Sequence, residues 1–512
     1  MSRATRFLNA IETAGNRLPH PATLFAAATL LVIACSAIVS SQGWMVEKPI
    51  APGAGASESV AIVANNLLSS DGIWWLISHL VKNFIQFPPL GIVLVGMLGI
   101  GVAERSGFIP ALLGKLAEKI PGQTLTPAMM FLGIISSVGL DAGYVVLPPI
   151  AAALYLAAGR SPLAGIAVSF AGISAGFSAN VILTAVDPLL AGFTEAGAQF
   201  VAPNYAVAAT ANWWFMAVSA VLLTFIGWLV SSVFVEPRLA TSEISLNHGV
   251  SPPHGSAEVT NVNAQALTLA LMSIGVLAFI LALAIAIPGA PLAGVGARFD
   301  RWIEATVPLI FLVFFVPGVV YGFASGRFTK ESDVAVALGE TLASLGPYIV
   351  LAFFAAQFIE AFKFSRLGEM LAISGGSFLV ELSLPTGALI VGFILIVMLG
   401  NLLIGSASAK YAFFAPVFVP MLMYVGISPE LTQAAYRIGD SATNIITPLN
   451  PYMVIIVALV QRYRSNAGVG SIVAMMLPYS VAFAVVWISL LLLWVGLDIP
   501  LGPAGPLRYP IP

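Results

Sequence analysis

The chain has 512 residues, of which 59% are hydrophobic and 9% are charged, and its mean hydropathy is +0.97. A soluble domain needs more polar surface to face water, so this composition excludes a soluble protein and predicts a polytopic membrane protein. The formal net charge of −2 gives no support for nucleic-acid binding. Cys35 is the one cysteine of the sequence, which excludes an intrachain disulfide.

Apolar segments recur along the chain at the length needed to cross a bilayer core, which takes roughly 20 helical residues. Two of them, 162–190 and 429–460, are interrupted by Gly, Pro, Asn and Asp. Together the segments predict an all-α polytopic membrane protein with nine transmembrane helices. The uninterrupted spans are 20–42, 87–105, 212–235, 265–288, 306–323, 346–362 and 472–497.

Two further regions, about 124–158 and 385–425, each contain two shorter apolar arms around a tip of small residues. The tips read SSVGLDAG and GSASAK. Because neither arm is long enough to span comfortably, both regions are predicted to be re-entrant hairpins. Such backbone is tolerated at membrane depth only where protein or water satisfies its polar groups.

The polar segment 236–264 contains Ser, Pro, His and Gly and is interpreted as a cytoplasmic linker between two halves, 1–235 and 265–512. The first half holds four spans and one hairpin, and the second holds five spans and the other hairpin. The distribution of Lys and Arg favours a cytoplasmic N-terminus, and an odd number of spans then places the C-terminus outside. With this topology the two hairpins enter the membrane from opposite sides.

The two halves resemble each other in sequence. A shift of 267 residues pairs Tyr144 with Tyr411 in the hairpins. After a slip of four residues, SANVILTAVDP matches SATNIITPLNP, which pairs Ser178 with Ser441. Repeats of inverted topology with broken helices are typical of secondary transporters, whose site lies at the membrane midplane where the breaks meet.

Ionisable residues inside membrane spans are costly and point to function. Arg437 and Asp440 are three residues apart, so they lie on one helical face and can touch. Arg437 is predicted to bind a substrate carboxylate or sulfonyl oxygen, and Asp440 to accept a proton or coordinate a hard cation. The alternative is a buried pair in which each charge only compensates the other.

Other polar residues near the breaks are candidates as well. Asp187 stands where the other repeat has Asn450, and its alternative role is to cap the broken helix. Asp141 lies at the first hairpin tip, whereas Lys410, beside the second tip, either belongs to the site or snorkels towards the interface. Six further residues offer neutral oxygens as possible ligands near the breaks. The alternative is that these side chains only hold membrane helices together. They are Asn180, Asn401, Asn444, Thr447, Ser406 and Ser408.

The segments GSASAKYAFFAPVFVPM (405–421) and SPELTQAAYRIGDSATNIITPLNPY (428–452) resemble the signature of the p-aminobenzoyl-glutamate transporter (AbgT) family, and the similarity covers nearly the whole chain. The resemblance implies a homodimer in the bacterial inner membrane, with a scaffold and a transport core, and with the C-terminus in the periplasm. It implies uptake of p-aminobenzoyl-glutamate or export of sulfonamide antimetabolites. By motif, the family's functional positions fall on Asp187, Ser408, Tyr411, Pro429, Arg437, Asp440 and Pro448, and a sodium site falls on Asn401 and Asp440.

The chain departs from the family motif at Tyr411, where the family has Trp. An aromatic platform for a benzoyl or aniline ring is retained, but its size and hydrogen bonding differ. The resemblance therefore leaves the substrate preference open.

The predicted function is ion-coupled secondary active transport of a small aromatic anion by alternating access, with sodium or a proton as the coupling ion. No Walker A motif occurs, so ATP is not the expected energy source. One alternative is an intramembrane aspartyl-type hydrolase, because the dipeptide at 439–440 is Gly-Asp, but the sequence has no second Tyr-Asp motif. A passive channel fits poorly with two half-crossing hairpins. The chain is therefore predicted to be no enzyme and to need no cofactor.

Overall fold

A computed structural model describes residues 21–48, 60–137, 142–241 and 263–510 of the chain. Within these residues the fold is mostly helical, as predicted, and seven helical stretches are long and apolar enough to cross a membrane. These stretches overlap with the seven uninterrupted spans of the prediction, but the second begins at Ser70 rather than at residue 87, because it includes a preceding helix, Ser70–Ile85, that the prediction did not contain. Asp141 and most of the predicted linker lie outside the described residues.

The first part of the chain runs from residue 21 to 241. Two of its helices continue as π-helical turns, Ala171–Ala175 and Ser231–Val235. In chain order the helices are α1 (Pro21–Ser41), α2 (Ser70–Ile85), α3 (Pro88–Arg105), α4 (Phe108–Glu118), α5 (Leu125–Ser136), α6 (Ala142–Ala157), α7 (Pro162–Phe170), α8 (Val186–Ala198), α9 (Trp213–Val230) and α10 (Glu236–Thr241).

The second part runs from residue 263 to 510. Its longest helix is the last, α21, with 28 residues. In chain order the helices are α11 (Ala264–Ala286), α12 (Arg301–Glu304), α13 (Thr306–Ala324), α14 (Glu331–Ser344), α15 (Gly346–Phe364), α16 (Leu367–Glu381), α17 (Thr386–Asn401), α18 (Ala407–Met423), α19 (Pro429–Asn444), α20 (Met453–Gln461) and α21 (Val469–Gly496).

A small antiparallel sheet departs from the all-α prediction. Strand β1 (Met45–Lys48) pairs with β2 (Val60–Val63), with Val46 opposite Ile62. Ile62 is buried against Met370 and neighbouring residues of α16. Strands of four residues are too short to show the two-residue alternation that identifies a strand in sequence, which is why the prediction missed them.

The two interrupted segments each consist of two helices separated by irregular backbone. The first leaves the π-helical turn after Ala175 and becomes helical again at α8, and the second is irregular between α19 and α20. Pro448 and Pro451 explain the second interruption, because proline lacks an N–H and disfavours helical backbone at the preceding residue. Ser428 fixes the start of α19, since its Oγ accepts a hydrogen bond of 3.0 Å from the backbone N–H of Leu431.

The helices around α19 position the candidate site. Helix α19 packs against α17, α18, α8 and α21, and α18 also runs along α8. The arms α17 and α18 are 16 and 17 residues long and are joined by residues 402–406. The first interrupted segment and the arms α17 and α18 therefore all contact α19, which is the first helix of the second interrupted segment.

Candidate transport site

Helix α19 is polar and yet fully enclosed by protein. Every residue from Pro429 to Thr443 is buried, including the charged Glu430, Arg437 and Asp440. Charged groups are rarely buried unless partners compensate them. The partners of these side chains therefore define the site.

Arg437 pairs with Asp187 of α8. Its Nη2 lies 2.7 Å from Asp187 Oδ1, and the two side chains are only 1% and 7% exposed. Asp187 Oδ2 accepts hydrogen bonds from the backbone N–H of Thr184, at 2.6 Å, and from the Thr184 hydroxyl, at 3.0 Å. Asp187 thus fixes the irregular backbone before α8, which agrees with its alternative role as a cap, and it also compensates the buried guanidinium, which the sequence analysis did not foresee.

The guanidinium of Arg437 retains unused hydrogen-bonding capacity. Within the described part of the chain, its Nε and Nη2 have no hydrogen-bond acceptor in good geometry. The contact of Nη2 with Asp187 is thus an ion pair by distance but not a directed hydrogen bond. Buried N–H groups without acceptors are unfavourable, so this position suits an anionic or carbonyl-bearing ligand.

Asp440 pairs with Lys410 of α18 rather than with Arg437. Lys410 Nζ lies 2.5 Å from Asp440 Oδ1 and 2.6 Å from Asn401 Oδ1. Asn401 also donates from Nδ2 to the carbonyl oxygen of Asp440, at 2.7 Å, and to Thr443 Oγ1, at 2.9 Å. These contacts link α17, α18 and α19 through a single cluster of polar groups.

The contacts decide two points about this cluster that the sequence left open. The three-residue spacing of Arg437 and Asp440 permits a contact, but each charge instead meets a partner from another helix. Lys410 does not snorkel: its side chain is 0% exposed, because a carboxylate and an amide oxygen compensate its charge inside the protein.

The two expected sodium ligands, Asn401 and Asp440, lie close together, but the ammonium of Lys410 lies between their side-chain oxygens. Asn401 Oδ1 and Asp440 Oδ1 both accept from the ammonium of Lys410. A sodium ion is a hard cation that needs several oxygen ligands of its own. In this conformation the two residues therefore do not fit a separate sodium site.

Tyr411 belongs to a buried aromatic and hydrogen-bonded cluster. Its ring centroid lies 4.1 Å from that of Tyr436, and its hydroxyl lies 2.7 Å from Thr194 Oγ1. Thr194 Oγ1 is in turn 2.8 Å from Gln433 Oε1. The sequence analysis missed Thr194 and Gln433, although a polar side chain one turn before Arg437 in a buried helix was an available signal.

The two interrupted segments touch each other directly. The backbone N–H of Ser178 donates to Ser441 Oγ at 3.2 Å. Asn450 Nδ2 donates to Ser174 Oγ at 3.0 Å and to the carbonyl oxygen of Asn444 at 3.1 Å. The irregular backbone before α8 therefore contacts α19, and the irregular backbone after α19 contacts the π-helical turn Ala171–Ala175.

The remaining predicted residues occupy different places. Asn180 donates to Ser137 Oγ at 2.8 Å, and its Oδ1 has no partner among the described residues. Ser408 is half-buried near the start of α18. Pro429 is the first residue of α19 and lies eight positions before Arg437, about 12 Å along the helix axis. Pro429 is therefore not part of the charged cluster.

A cavity of about 900 Å³ reaches the irregular segment between α19 and α20. Pro448 and Ile446 of that segment line it, together with mostly apolar residues of α20 and α21. Arg238 and Arg464 also belong to its lining. The volume is in the range of small-molecule sites, and the lining suits a molecule with an apolar ring and a negative charge.

Glu430 is a buried carboxylate that the sequence analysis did not single out. Both of its oxygens lie within hydrogen-bond distance of the Tyr205 hydroxyl, at 3.1 and 3.0 Å. Asn212 Nδ2 donates to the backbone carbonyl of Glu430 at 2.9 Å. Acidic residues are common in the first turn of exposed helices, so its position alone gave no signal of burial.

The chain matches known transporters over nearly its whole length. A family model described as the AbgT putative transporter family matches residues 6–509. The p-aminobenzoyl-glutamate transport protein of Escherichia coli (strain K12) is 32% identical over 510 residues, which are 98% of this chain and 97% of that protein.

Two solved structures are similar to this fold. The Alcanivorax borkumensis YdaH transporter has a TM-score of 0.88 at 40% identity, over 95% of this chain and 100% of that chain. Neisseria gonorrhoeae MtrF, from a class of antimetabolite efflux pumps, has a TM-score of 0.87 at 41% identity, over 98% of this chain and 100% of that chain. These matches confirm the resemblance seen in the sequence. The chain belongs to the AbgT transporter family.

Proposed function

We propose that the chain is an ion-coupled secondary active transporter of small aromatic anions, which works by alternating access. The buried guanidinium of Arg437 carries this proposal, because its Nε and Nη2 lack well-placed acceptors in the described part of the chain. A carboxylate or sulfonyl oxygen would satisfy these N–H groups. The substrate class follows from that chemistry.

The names of the relatives agree with this class. One relative is a p-aminobenzoyl-glutamate transport protein, and another belongs to a class of antimetabolite efflux pumps. We propose that this chain moves p-aminobenzoyl-glutamate, sulfonamide-like antimetabolites, or both. The apolar cavity beside Pro448 has room for such a molecule, and Arg238 and Arg464 in its lining suit a negative charge.

Contacts between the interrupted segments support alternating access between two inverted halves, 1–235 and 265–512. The side chain of Asn450 donates to Ser174 Oγ, and the backbone N–H of Ser178 donates to Ser441 Oγ, so segments of both halves meet in this conformation. Inverted repeats with broken helices that meet at one site are typical of secondary transporters.

The charge pairs favour a transporter over the aspartyl-type hydrolase. Such hydrolases place two carboxylates together so that they share a proton. Here Asp187 faces Arg437 and Asp440 faces Lys410, so each carboxylate has its own cation. The known relatives are likewise transporters, which agrees with the prediction that the chain is no enzyme.

We also propose that the protein is a homodimer in the bacterial inner membrane, with its N-terminus in the cytoplasm and its C-terminus in the periplasm. The apolar helix α11 supports an interface with lipid or a second copy, because only 6% of its spanning window is buried within the chain. Chemical cross-linking in the native membrane tests the dimer.

Flux into liposomes tests the proposed function. Purified protein is reconstituted, and labelled p-aminobenzoyl-glutamate and a labelled sulfonamide are supplied while sodium and pH gradients are imposed separately. Accumulation against a substrate gradient that requires one ion gradient is expected. Downhill flux alone would indicate a channel, and cleaved substrate would indicate a hydrolase.

A further inference from the structure

Lys410 is a fully buried lysine that carries no role in the proposed substrate site. Its ammonium lies 2.6 Å from Asn401 Oδ1 and 2.5 Å from Asp440 Oδ1. The Tyr436 ring faces the same ammonium, with its centroid 5.8 Å from Nζ. An ammonium held by a carboxylate, an amide oxygen and an aromatic face is in an environment that also suits a free monovalent cation.

The other buried cation of the site, Arg437 of α19, does not compete for this place. Arg437 pairs with Asp187 on the side of α8, whereas Lys410 pairs with Asp440 on the side of α17 and α18. Without the ammonium of Lys410, Asp440 would be a buried carboxylate with no compensating charge. Such a group is strongly unfavourable unless another cation takes the vacated position.

We propose that the ammonium of Lys410 is a tethered cation that occupies the Asn401–Asp440 site in this conformation, and that a free sodium ion competes with it for the same two oxygens. A sodium ion then binds only when the Lys410 side chain has withdrawn. The proposal assigns to Lys410 the role of setting cation affinity and selectivity at this site.

Withdrawal of Lys410 has a structural consequence. Lys410 lies on α18 next to Tyr411, whose ring packs on Tyr436 and whose hydroxyl contacts Thr194 of α8. A displacement of the lysine that shifts α18 therefore also disturbs the contact of Tyr411 with α8. This coupling rests on the proposed transport function, whereas competition for the oxygens does not.

Cation binding by the purified full chain tests the competition without any substrate. Thermal unfolding midpoints are measured in detergent over a series of sodium chloride concentrations, with choline chloride keeping the ionic strength constant and potassium chloride run in parallel. A ligand that binds only the folded state raises the midpoint by an amount that grows with the logarithm of its concentration relative to its dissociation constant. We expect Lys410→Met to bind sodium at least about tenfold more tightly than the wild type, since it removes the internal competitor.

Two controls locate the effect. Lys115→Met removes a lysine that pairs with Glu118 at 3.0 Å on the surface, and its sodium dependence is expected to equal that of the wild type. The double variant Lys410→Met/Asp440→Asn lacks the carboxylate and is expected to lose the gained sodium response.

A second variant guards against a folding defect. Lys410→Gln replaces the ammonium with a neutral amide that can still donate hydrogen bonds. This variant is purified in parallel in sodium chloride and in choline chloride. Folded protein obtained in sodium but not in choline supports the proposal, because sodium then replaces the lost charge.

Three results would overturn the proposal. The first is that the wild type and Lys410→Met bind sodium with equal affinity. The second is that sodium changes the unfolding midpoint of neither protein. The third is that both Lys410 variants fail to fold even in sodium chloride. Failure of the transport assay alone leaves these binding results standing, so the two proposals are tested separately.

Discussion

At the scale of single residues, α19 presents two buried charges of opposite sign to two different neighbours. Arg437 reaches Asp187 and Asp440 reaches Lys410, although the two residues share one helix face. Removing one member of a buried pair commonly costs about 3–5 kcal/mol, because the other charge stays buried without a partner. Each of the four side chains is therefore expected to stabilise the fold, in addition to any role in the proposed transport.

Arg437→Ala is expected to lower substrate flux by at least about tenfold, because a hydrogen bond to a charged group contributes roughly 1.5–3 kcal/mol. Arg437→Lys keeps the charge that compensates Asp187 but loses the planar fork, so it should stay folded while flux falls. The measurement is liposome flux together with the elution volume in detergent.

The matched control for Arg437 is Arg105→Ala. Arg105 pairs with Glu340 at 2.6 Å in a more exposed position, so its removal should leave flux near the wild-type value. Wild-type flux in Arg437→Ala would contradict the assignment of Arg437 to the substrate.

Tyr411→Ala is expected to weaken transport of aromatic substrates more than transport of a bare glutamate-like compound, because it removes the ring. Tyr411→Phe keeps the ring and loses only the contact with Thr194, so it should cost about 1 kcal/mol of stability and retain the aromatic preference. Flux competition between the two substrates measures the preference. Equal losses for both substrates in Tyr411→Ala would rule out a ring platform.

At the scale of elements, the site is built where two interrupted segments lie against one pair of arms. Proline and glycine free the backbone of helical hydrogen bonding at the interruptions, and side chains then bond to the freed groups, as Ser441 Oγ does by accepting from the backbone N–H of Ser178. Irregular backbone of this kind is tolerated at membrane depth only inside protein. If the proposed alternating access holds, these interruptions are the positions at which we expect the chain to rearrange.

A disulfide across the interruptions is expected to stop transport. Ser178→Cys and Ser441→Cys are combined with Cys35→Ala, since the backbone N–H of Ser178 lies 3.2 Å from Ser441 Oγ and the two residues are therefore close together. Oxidation should reduce flux to background, and a reducing agent should restore it, because the bond prevents the segments from separating.

The single-cysteine variants control for the substitutions themselves and should not respond to oxidation. Full flux by the oxidised double variant would show that the interruptions keep their contact throughout the transport cycle.

At the scale of the whole molecule, the membrane orientation rests on the distribution of basic residues. Arg462 and Arg508 lie on opposite sides in the predicted topology, and both are exposed. In cells whose outer membrane has been removed, a membrane-impermeant thiol reagent should label Arg508→Cys at once and Arg462→Cys only after permeabilisation, both in a Cys35→Ala background. The reverse pattern would invert the topology.

Arg508 is suitable for this experiment because replacing it is expected to lower the stability of the protein only slightly. It pairs with Asp498 at 3.3 Å, with both side chains largely exposed, and such surface pairs contribute about 1 kcal/mol or less. Labelling therefore reports on topology rather than on unfolding.

The sequence by itself determined the membrane class, the seven long spans and the family, because these depend on local hydropathy, on segment length and on a contiguous motif. It also singled out Arg437, Asp440 and Asp187, since charge in an apolar span is visible without a structure. The two short strands were missed, because four residues carry too little pattern.

Only the tertiary structure decided which charges meet. Spacing along α19 allowed Arg437 to touch Asp440, but packing against α8 and α18 supplied each with a partner distant in sequence. The burial of Lys410 depended on the same packing, because its ammonium avoids water only where Asn401 and Asp440 converge. Contacts of this kind depend on how the helices pack against one another, and the spacing of residues along one helix does not determine that packing.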